Sequence, residues 1–369
     1  MKMKRISLDS LCEKKVAILS TQYDGLIDYV DISSVDNVSK RIVGFQTLSA
    51  KDAPSRAKQL LEVGDILVST VRPNLNAVAM VEKKEDNLLV GSTGYCVLRC
   101  KDAADRRFIF HFCQSPYFVD DMTAQATGAS YPAVTSGIVK NACVPAYPIE
   151  EQRQIAEKLD KLSELITLRK EQLAKLDELV KARFVEMFGD PISNPMGWEC
   201  KRFDSLCENL DYRRKPITAS ERESGIYPYY GASGIVDYVA GYLFDEDILL
   251  VSEDGANLLM RSTPIAFSVS GKVWVNNHAH VLRFEKMCMQ KYVEMYFSMI
   301  DISEFITGSA QPKLNQAKLN SMMIPVPDED GMNSYLQFIQ QTNKTKLTIQ
   351  ASLDKLEVMK KALMQEYFG

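Results

Sequence analysis

The sequence lacks the motifs by which enzymes of this length are usually recognised. It has no G-x-x-x-x-G-K-[ST] phosphate loop, since Ser270-Gly271-Lys272 has neither the earlier glycine nor a following hydroxyl residue. Neither G-x-G-x-x-G nor G-x-S-x-G occurs, and Asn194-Pro195-Met196-Gly197 differs from the Asn/Asp-Pro-Pro-aromatic tetrapeptide of an adenine methyltransferase. These absences argue against a nucleotide-hydrolysing, dinucleotide-binding or methyl-transferring enzyme. We therefore expect a non-catalytic chain that binds no cofactor itself.

Close cysteine pairs, long apolar runs and excess positive charge are also absent. The eight cysteines include no C-x-x-C pair, which predicts reduced, mostly buried thiols rather than metal sites or disulfides. No apolar run approaches the roughly 18 residues of a membrane span, and no secretory leader is visible, so we expect a cytoplasmic protein without membrane contact. The net charge is −4, so any affinity for nucleic acid must come from local patches or from partner chains.

Two groups of polar residues resemble metal sites. Asp190 with Glu199-Cys200-Lys201 resembles the acid pairs of a magnesium nuclease, but the first half of the chain has no matching set. His278 and His280 form an H-x-H pattern that can bind metal, and on a strand both would point to one face. Since no cysteine or acid lies nearby at ligand spacing, we expect no metal. The histidines are then either structural or face DNA.

The sequence is an imperfect repeat of itself. Asp-Ser-Leu-Cys-Glu occurs at residues 9–13 and again at 204–208, and further matches follow in the same order. The further pairs are 64–68 with 246–250, 97–99 with 281–283, 127–132 with 307–312, Pro145 with Pro325, and 181–189 with 361–369. The offset drifts, so the two halves share a plan and differ in loop length.

Each half predicts a mixed α/β domain followed by a long helix. Short β-type runs at 65–70, 95–99, 247–252, 273–275 and 279–284 alternate with helical stretches at 108–114 and 290–300. We therefore predict domains at residues 1–150 and 190–330, separated by helices at 151–189 and 331–369. A helix of about 38 residues at about 1.5 Å per residue spans roughly 55–60 Å.

Apolar residues on both helices follow the 4-3 spacing of a coiled-coil seam, interrupted in the second by Asn343 and Lys346. The predicted seam consists of Ile155, Leu159, Leu162, Ile166, Leu173, Leu176, Val180, Leu353, Leu356 and Leu363. A single helix would expose this stripe, so we expect the two helices to form an antiparallel coiled coil with the domains at opposite ends. The alternative is that each helix folds back onto its own domain.

Polar residues on loops and strand ends are the candidates for reading DNA, since base edges are recognised by Arg, Lys, Asn, Gln, Ser and Thr. In the first half they are Arg72, Asn74, Asn76, Ser92, Thr93, Tyr95, Ser130 and Tyr131. In the second half they are Tyr212, Arg213, Arg214, Lys215, Tyr229, Tyr230, Lys272, Asn276, Asn277, His278, Ser309, Gln311 and Lys313. Residues 212–215 form the densest basic cluster and are predicted to contact phosphate. For any single residue the alternative is a solvated turn.

The chain resembles the specificity subunits of type I restriction–modification systems. The resemblance lies in Pro148-Ile149-Glu150-Glu151-Gln152-Arg153-Gln154-Ile155-Ala156, in residues 307–315, and in Gly231-Ala232-Ser233-Gly234 followed by residues 247–250, within a half-repeat order that covers the whole chain. It departs at Ala133-Val134-Thr135, where the second half has Lys-Leu-Asn, and at Asp328-Glu329-Asp330-Gly331, which replaces the Pro-x-Glu-Glu-Gln helix start.

The resemblance implies two target-recognition domains that each read one half of a bipartite, asymmetric site on double-stranded DNA. It implies that the helices set the gap and dock two methyltransferase subunits, which bring S-adenosylmethionine. Restriction–motor subunits using ATP and magnesium join some such complexes. Two other readings stay open: a helical scaffold protein with duplicated protein-binding domains, which the acidic charge favours, and a nuclease or methyltransferase acting alone, which the missing motifs oppose.

Overall fold

The computed structural model describes residues 4–83, 85–308 and 311–369. The chain divides into two compact units, unit 1 (Met1–Lys170 with Ala351–Gly369) and unit 2 (Glu171–Gln350). Each unit therefore contains one mixed α/β domain together with part of both long helices. The predicted fold class, two similar α/β domains with two long helices, is confirmed.

Unit 1 begins with short strands and helices and ends in a long helix. In chain order its elements are β1 (Arg5–Ser7), α1 (Leu8–Leu11), β2 (Leu26–Val30), β3 (Val35–Asp36), β4 (Arg41–Ile42), β5 (Gln46–Ser49), β6 (Ala57–Leu60), β7 (Ile66–Ser69), β8 (Val78–Met80), β9 (Leu88–Ser92), β10 (Tyr95–Leu98), α2 (Arg106–Phe112), α3 (Pro116–Gln125), α4 (Ser136–Asn141), β11 (Cys143–Pro145) and α5 (Ile149–Phe188), which continues into unit 2.

Unit 2 repeats this plan. Its elements are β12 (Glu199–Arg202), β13 (Glu208–Asn209), β14 (Ser224–Gly231), β15 (Gly234–Val239), β16 (Phe244–Asp245), β17 (Ile248–Ser252), α6 (Asn257–Met260), β18 (Ala266–Val269), β19 (Lys272–Val275), β20 (Ala279–Arg283), α7 (Met287–Met299), α8 (Gln316–Ser321), β21 (Met323–Val326) and α9 (Glu329–Phe368), which continues into unit 1.

The sheets of the two units share most of their topology. The order β10-β7-β8 in unit 1 matches β20-β17-β18 in unit 2, where β13 adds a fourth strand beside β20, and β5-β2-β9-β6 matches β15-β14-β19-β16. In the second pair of sheets the central strands, β2 with β9 and β14 with β19, run parallel, and their outer neighbours pair antiparallel. β1 pairs with β11, and β12 pairs with β21. The internal repeat is therefore a duplication of a whole fold.

The central strands owe their position to uninterrupted apolar runs. Every residue of β7 (Ile-Leu-Val-Ser) and of β17 (Ile-Leu-Leu-Val-Ser) is buried, as expected of strands covered on both faces. The short helices α4 and α8 start at matching points, where the side chains of Thr135 and Asn315 accept the N–H groups of Ile138 and Lys318. Thr135 thus takes the same capping role as the asparagine of the second half.

The helices α5 and α9 are each 40 residues long and begin slightly earlier than predicted. We predicted starts near residues 151 and 331, and the structure places them at Ile149 and Glu329. Although the second half lacks the Pro-x-Glu-Glu-Gln start, Asp328 accepts the N–H of Gly331 at 2.7 Å and caps α9. Acidic residues in the first turn of each helix interact favourably with its positive end.

The helices pack antiparallel within each unit, which confirms the predicted coiled coil. In unit 1 the Lys170 ammonium lies 2.9 Å from the Glu357 carboxylate, and Lys158 lies over the ring of Tyr367. In unit 2 Lys346 pairs with Asp177, so this polar interruption of the second seam has a partner on α5. All ten predicted seam residues are buried or half-buried: Ile155, Leu159, Leu162, Ile166, Leu173, Leu176, Val180, Leu353, Leu356 and Leu363.

The helices also complete the cores of the domains. Met364 and Phe368 of α9 lie in the main core of unit 1, and Phe184 and Phe188 of α5 lie in that of unit 2. The rings of Phe184, Phe188, Tyr292 and Tyr335 meet with centroids 5.2–5.6 Å apart. The alternative, in which each helix folds back onto its own domain, does not hold, because the C-terminal part of α5 packs in unit 2 and that of α9 packs in unit 1, each beside the partner helix. Within the described ranges, no helix is long and apolar enough to cross a membrane.

Candidate nucleic-acid interface

Three segments of unit 1 meet beyond the end of β7, and we call this surface edge 1 (residues 70–76, 92–95 and 127–134). Thr70 donates its N–H to Gly94 O at 2.9 Å, and Arg72 donates its N–H to Pro132 O at 2.7 Å. Gly128 turns the third segment with a φ of 104°, and a Cβ there would lie 3.0 Å from Tyr131 O, so the turn requires glycine. The fold thus brings together most of the candidates predicted in the first half.

Arg72 and Tyr131 form an exposed pair on edge 1. The Arg72 guanidinium lies 4.7 Å from the centre of the Tyr131 ring, and that ring is 68% exposed. Arg72 has a left-handed backbone (φ 49°) at the start of the 3-10 turn Pro73–Leu75, which also presents Asn74 to solvent. A rigid turn that displays Arg and Asn beside an exposed aromatic ring has the donors needed to contact a base edge.

Asn76 ends this turn, and its hydrogen bonds hold the turn in place. Its amide donates to Cys113 O at 2.8 Å, and its own oxygens accept two hydrogen bonds from Lys40. Asn76 is half-buried, so we assign it a supporting role and not a base contact. Lys40 was missed because it lies 36 residues earlier in a turn with no DNA-binding pattern.

The structure corrects two candidates of edge 1. Ser92 is fully buried and its hydroxyl accepts the N–H of Gly94, while Tyr95 is 1% exposed and donates its hydroxyl to Asp31 O at 2.7 Å. Burial raises the pKa of Tyr95 well above its usual range. Both side chains therefore stabilise the sheet and do not face a duplex. Thr93 and Ser130 are exposed, as the prediction requires.

Unit 2 builds the same surface, edge 2 (residues 211–215, 252–256, 276–280, and 307–314 without residues 309 and 310). Glu253 donates its N–H to His278 O at 2.9 Å, and Gly255 donates to Pro312 O at 3.0 Å, the counterparts of the Thr70 and Arg72 bonds. Thr307 bridges to Lys313 as Thr127 bridges to Ala133. The backbone is thus repeated and the side chains are not.

Outside its segment 211–215, the exposed candidates of edge 2 are Asn277, His278, Gln311 and Lys313. Two of them are held by acids: His278 Nδ1 lies 2.8 Å from Asp254, and Lys313 Nζ lies 3.0 Å from Glu253. Ser309, also predicted here, lies outside the described residues.

The basic cluster 212–215 divides into two kinds of residue. Arg213 donates to Glu246 at 2.6 Å and to Leu243 O at 2.9 Å, with its guanidinium 4.5 Å from the Phe244 ring. Arg214 donates to Glu253 at 2.5 Å and to Ala279 O at 2.8 Å. These two arginines are bound within the domain. Tyr212, 77% exposed, and Lys215 face solvent and remain the candidates for phosphate contact.

The remaining candidates of unit 2 differ in exposure. Tyr229 is buried under the guanidinium of Arg222, and Asn276 is buried with its oxygen accepting the N–H of His278, so the expectation that they contact DNA is corrected. Tyr230 is half-buried against Phe267. Lys272 is exposed, 4.9 Å from the Tyr242 ring, and remains a candidate.

A charge centre lies beneath edge 2, formed by Asp211, Arg214, Glu253, His280 and Lys313. His280 Nδ1 lies 2.6 Å from Asp211 Oδ2 and 3.8 Å from Glu253 Oε2, although we expected no acid near the histidines. Nor do the histidines share one face, because His278 is exposed just before β20 and His280 is buried within it. Glu253 and Asp211 lie 27 and 69 residues before His280 in the sequence, which is farther than a local motif extends.

Electrostatics keep both acids of the charge centre ionised. Burial by itself raises the pKa of Asp211, but hydrogen bonds from His280 and from the N–H of Val281, with the charge of Arg214, hold it below its usual value. Burial likewise opposes ionisation of Glu253, and bonds from Arg214 and Lys313 lower its pKa. Asp211, Glu253 and His280 offer ligand atoms within 4.8 Å of one another. Their hydrogen bonds are already made within the protein, so this arrangement is that of an ion-pair network.

Comparison with known proteins identifies the family. The model of the type I restriction modification DNA specificity domain matches twice, over residues 3–178 and 195–359. A putative type I restriction enzyme specificity subunit of Haemophilus influenzae is 36% identical over 129 residues, 35% of this chain and 33% of that protein. The MjaIX specificity subunit of Methanocaldococcus jannaschii is 19% identical over 352 residues, 87% of this chain and 80% of that protein. The chain spans about a third of the length of the first two curated relatives that it matches.

Solved structures share the fold. The S subunit of a type I restriction–modification system from M. genitalium aligns with a TM-score of 0.64 and 16% identity, covering 100% of this chain and 96% of that one. A chain from a study of complex assembly in a type I R-M system aligns with a TM-score of 0.61 and 23% identity, covering 100% and 99%. The chain therefore belongs to the family of type I restriction–modification DNA specificity subunits and carries two target-recognition domains.

Proposed function

We propose that the chain reads a bipartite, asymmetric site on double-stranded DNA, with edge 1 contacting one half and edge 2 the other. The observation that supports this is the repeated backbone of the two edges with different side chains upon it. Arg72 and Tyr131 face solvent on edge 1, where edge 2 has Lys313, His278 and Tyr212. Because base recognition depends on donor and acceptor pattern, the two edges would select different sequences.

The charge distribution suggests how affinity is divided. The chain carries a net charge of −4, and Arg213, Arg214 and Lys313 are neutralised by acids of the same domain. Phosphate neutralisation supplies most of the salt-dependent affinity for DNA. We therefore assign much of the phosphate contact to partner subunits and the sequence selection to this chain.

The helices α5 and α9 would set the gap between the half-sites and dock the partners. Each is continuous for 40 residues, about 60 Å at about 1.5 Å per residue, which compares with a B-DNA helical turn of about 34–36 Å. Two methyltransferase subunits, bringing S-adenosylmethionine, are the proposed partners. Restriction–motor subunits using ATP and magnesium would join the same complex where the host encodes them. The chain itself would remain non-catalytic.

Mapping of methylated adenines in the host genome, with and without the gene for this chain, tests the proposal. The expected result is one split motif that disappears when the chain is removed. Replacing residues 4–148 with those of another family member should change one half of the motif and leave the other half and the gap intact. An uninterrupted motif, or an exchange that alters both halves, would contradict it.

Gel-shift experiments on the complex with its methyltransferase subunits separate this function from that of a protein scaffold. Retention of one split duplex at raised salt, against scrambled duplexes, is expected of a DNA reader. A scaffold would assemble with the same subunits and retain all duplexes equally.

A further inference from the structure

The charge centre of unit 2 joins all four segments of edge 2. Asp211 lies in the 3-10 turn Asp211–Arg213, Glu253 follows β17, His280 lies in β20, and Lys313 and Leu314 lie in the last segment. His280 contacts two of the other segments, because Nδ1 lies 2.6 Å from Asp211 Oδ2 and Nε2 lies 2.8 Å from Leu314 O. Only 1% of its surface is exposed, so its ring is shielded from bulk water.

The identity of the two acceptors determines where the protons of His280 lie. A backbone carbonyl can only accept, so Nε2 must donate to Leu314 O. The Asp211 carboxylate already accepts from the N–H of Val281 at 2.8 Å and pairs with Arg214 at 3.3 Å, an environment that favours its ionised form. An ionised carboxylate 2.6 Å from Nδ1 requires a proton on that nitrogen as well.

We propose that His280 is a buried imidazolium cation that positions the four segments of edge 2, so that recognition of one half-site depends on its charge. The inference rests on the proposed function, because it takes edge 2 to be a DNA-reading surface. With His280 protonated, the charge centre holds three cations (Arg214, His280 and Lys313) and two carboxylates (Asp211 and Glu253), a net charge of +1. Without that proton its net charge is zero and the carboxylate faces an unprotonated nitrogen.

Edge 1 has no equivalent of the charge centre at the matching positions. In the repeated backbone, Glu253, His280 and Lys313 correspond to Thr70, Cys96 and Ala133, which are all neutral. The two half-sites should therefore respond differently to loss of the His280 charge, and one serves as the internal reference for the other. Recognition by edge 2 should weaken when the imidazolium is replaced by a neutral side chain, while recognition by edge 1 stays constant.

The test uses the complex with methyltransferase subunits and three duplexes: the mapped site, and the same site scrambled in either half. His280→Gln should lower the preference for the intact over the edge 2-scrambled duplex about tenfold, with no change in the preference over the edge 1-scrambled duplex. His111→Gln is the matched control, because His111 is equally buried, lies 2.7 Å from the carboxylate of Asp160 and belongs to unit 1. It should leave the edge 2 preference unchanged.

A second measurement does not depend on DNA or on the folding of a variant. With histidine rings labelled with ¹⁵N in the wild-type full chain, His280 should show protons on both nitrogens near neutral pH. A neutral His280 ring, or an edge 2 preference that His280→Gln leaves unchanged, overturns the inference. If the wild-type complex discriminates neither scrambled duplex while His280 is doubly protonated, the failure lies in the proposed function, and the positioning role falls with it.

Discussion

The ammonium of Lys40 donates to both oxygens of Asn76, to the backbone carbonyl at 2.5 Å and to the side-chain amide at 2.8 Å. Both residues have left-handed backbones, with φ values of 58° and 48°, which for non-glycine residues is costly and persists only where surrounding contacts enforce it. This bond pair fixes the turn that carries Arg72. Burial and the neighbouring charge of Lys360 lower the pKa of Lys40 to about 8.

That lowered pKa predicts a stability that rises with pH. Between the folded pKa of about 8 and the ordinary value of 10.5 the unfolded chain binds the proton more tightly, so stability increases across this window. After allowance for partial exposure we expect a gain of about 1–2 kcal/mol. Urea denaturation of wild type and of Lys40→Met over this pH range measures the gain in stability, which the variant should lack. Lys51→Met removes an exposed lysine and should retain the gain. Parallel curves for wild type and Lys40→Met would contradict the assignment.

Arg72→Gly should separate recognition from folding. Glycine adopts the left-handed backbone of this position without strain, so stability should stay within about 1 kcal/mol of wild type. Loss of the guanidinium should cost about 1–3 kcal/mol of discrimination at the half-site read by edge 1. Competition binding with duplexes scrambled in one half-site or the other measures the discrimination at each half-site in the same experiment. Arg41→Ala, an exposed arginine 3.9 Å from Glu82, is the control and should change neither.

Lys215→Ala should weaken DNA binding without changing stability, whereas Arg213→Ala should lower stability. Lys215 is exposed, so its removal should weaken binding to all duplexes and reduce the salt slope by about 1 without changing stability. Arg213 is bound to Glu246 and Leu243 O, so its removal should lower stability by about 1–2 kcal/mol. Denaturation and salt-dependent binding distinguish the two. An unchanged stability for Arg213→Ala would return it to the phosphate-contact candidates.

The aromatic cluster formed by α5, α7 and α9 should dominate the stability of unit 2. Phe184 is fully buried among Phe188, Tyr292 and Tyr335, so Phe184→Ala should cost about 3–5 kcal/mol. Leu179→Ala on the same helix removes a side chain that is 48% exposed and should cost no more than about 0.5 kcal/mol. Denaturant unfolding measures the loss of stability in each variant. Similar losses in the two variants would mean that the aromatic cluster is not the main stabilising contact of unit 2.

Lengthening both helices tests their role in setting the gap. Seven residues inserted after Lys170 in α5 and seven after Gln350 in α9 preserve the apolar phase, since two turns of a coiled-coil seam take a heptad. The helices lengthen by about 10 Å, so the unmethylated gap should widen by about three base pairs with both half-sites kept. Methylation mapping reads the new motif, and an unchanged gap would refute the proposed spacing role. Insertion in α5 alone should disrupt the pairing and lower stability.

The repeat made most of the fold predictable. Matches such as 9–13 with 204–208 required a duplicated domain, and β7, β10, β17 and β20 lie within the predicted β-type runs, which are rich in apolar residues. The start of α9 was placed too late, because Asp328 caps it without the expected glutamates. The parallel pairing of β2 with β9 was not predicted, since parallel partners are distant in sequence and leave no local signal.

The site was predicted less completely, for a physical reason. Loop composition identified Arg72, Tyr131, Gln311 and Lys313, which do lie at one end of each domain. It failed for Tyr95 and Tyr229, because residue type does not reveal which aromatic side chains a sheet buries. Arg213 and Arg214 looked like free charge in sequence. Their acidic partners, Glu246 and Glu253, lie 33 and 39 residues away and were brought to them by the fold.

The packing of Phe368 and Met364 into unit 1 has a consequence for synthesis on the ribosome. The core that surrounds Phe108 and Phe112 stays open on one side until residues 351–369 have emerged, after the whole of unit 2. The N-terminal domain therefore reaches its native state last, and its open core is exposed to chaperones and proteases for the time needed to translate about 180 further residues.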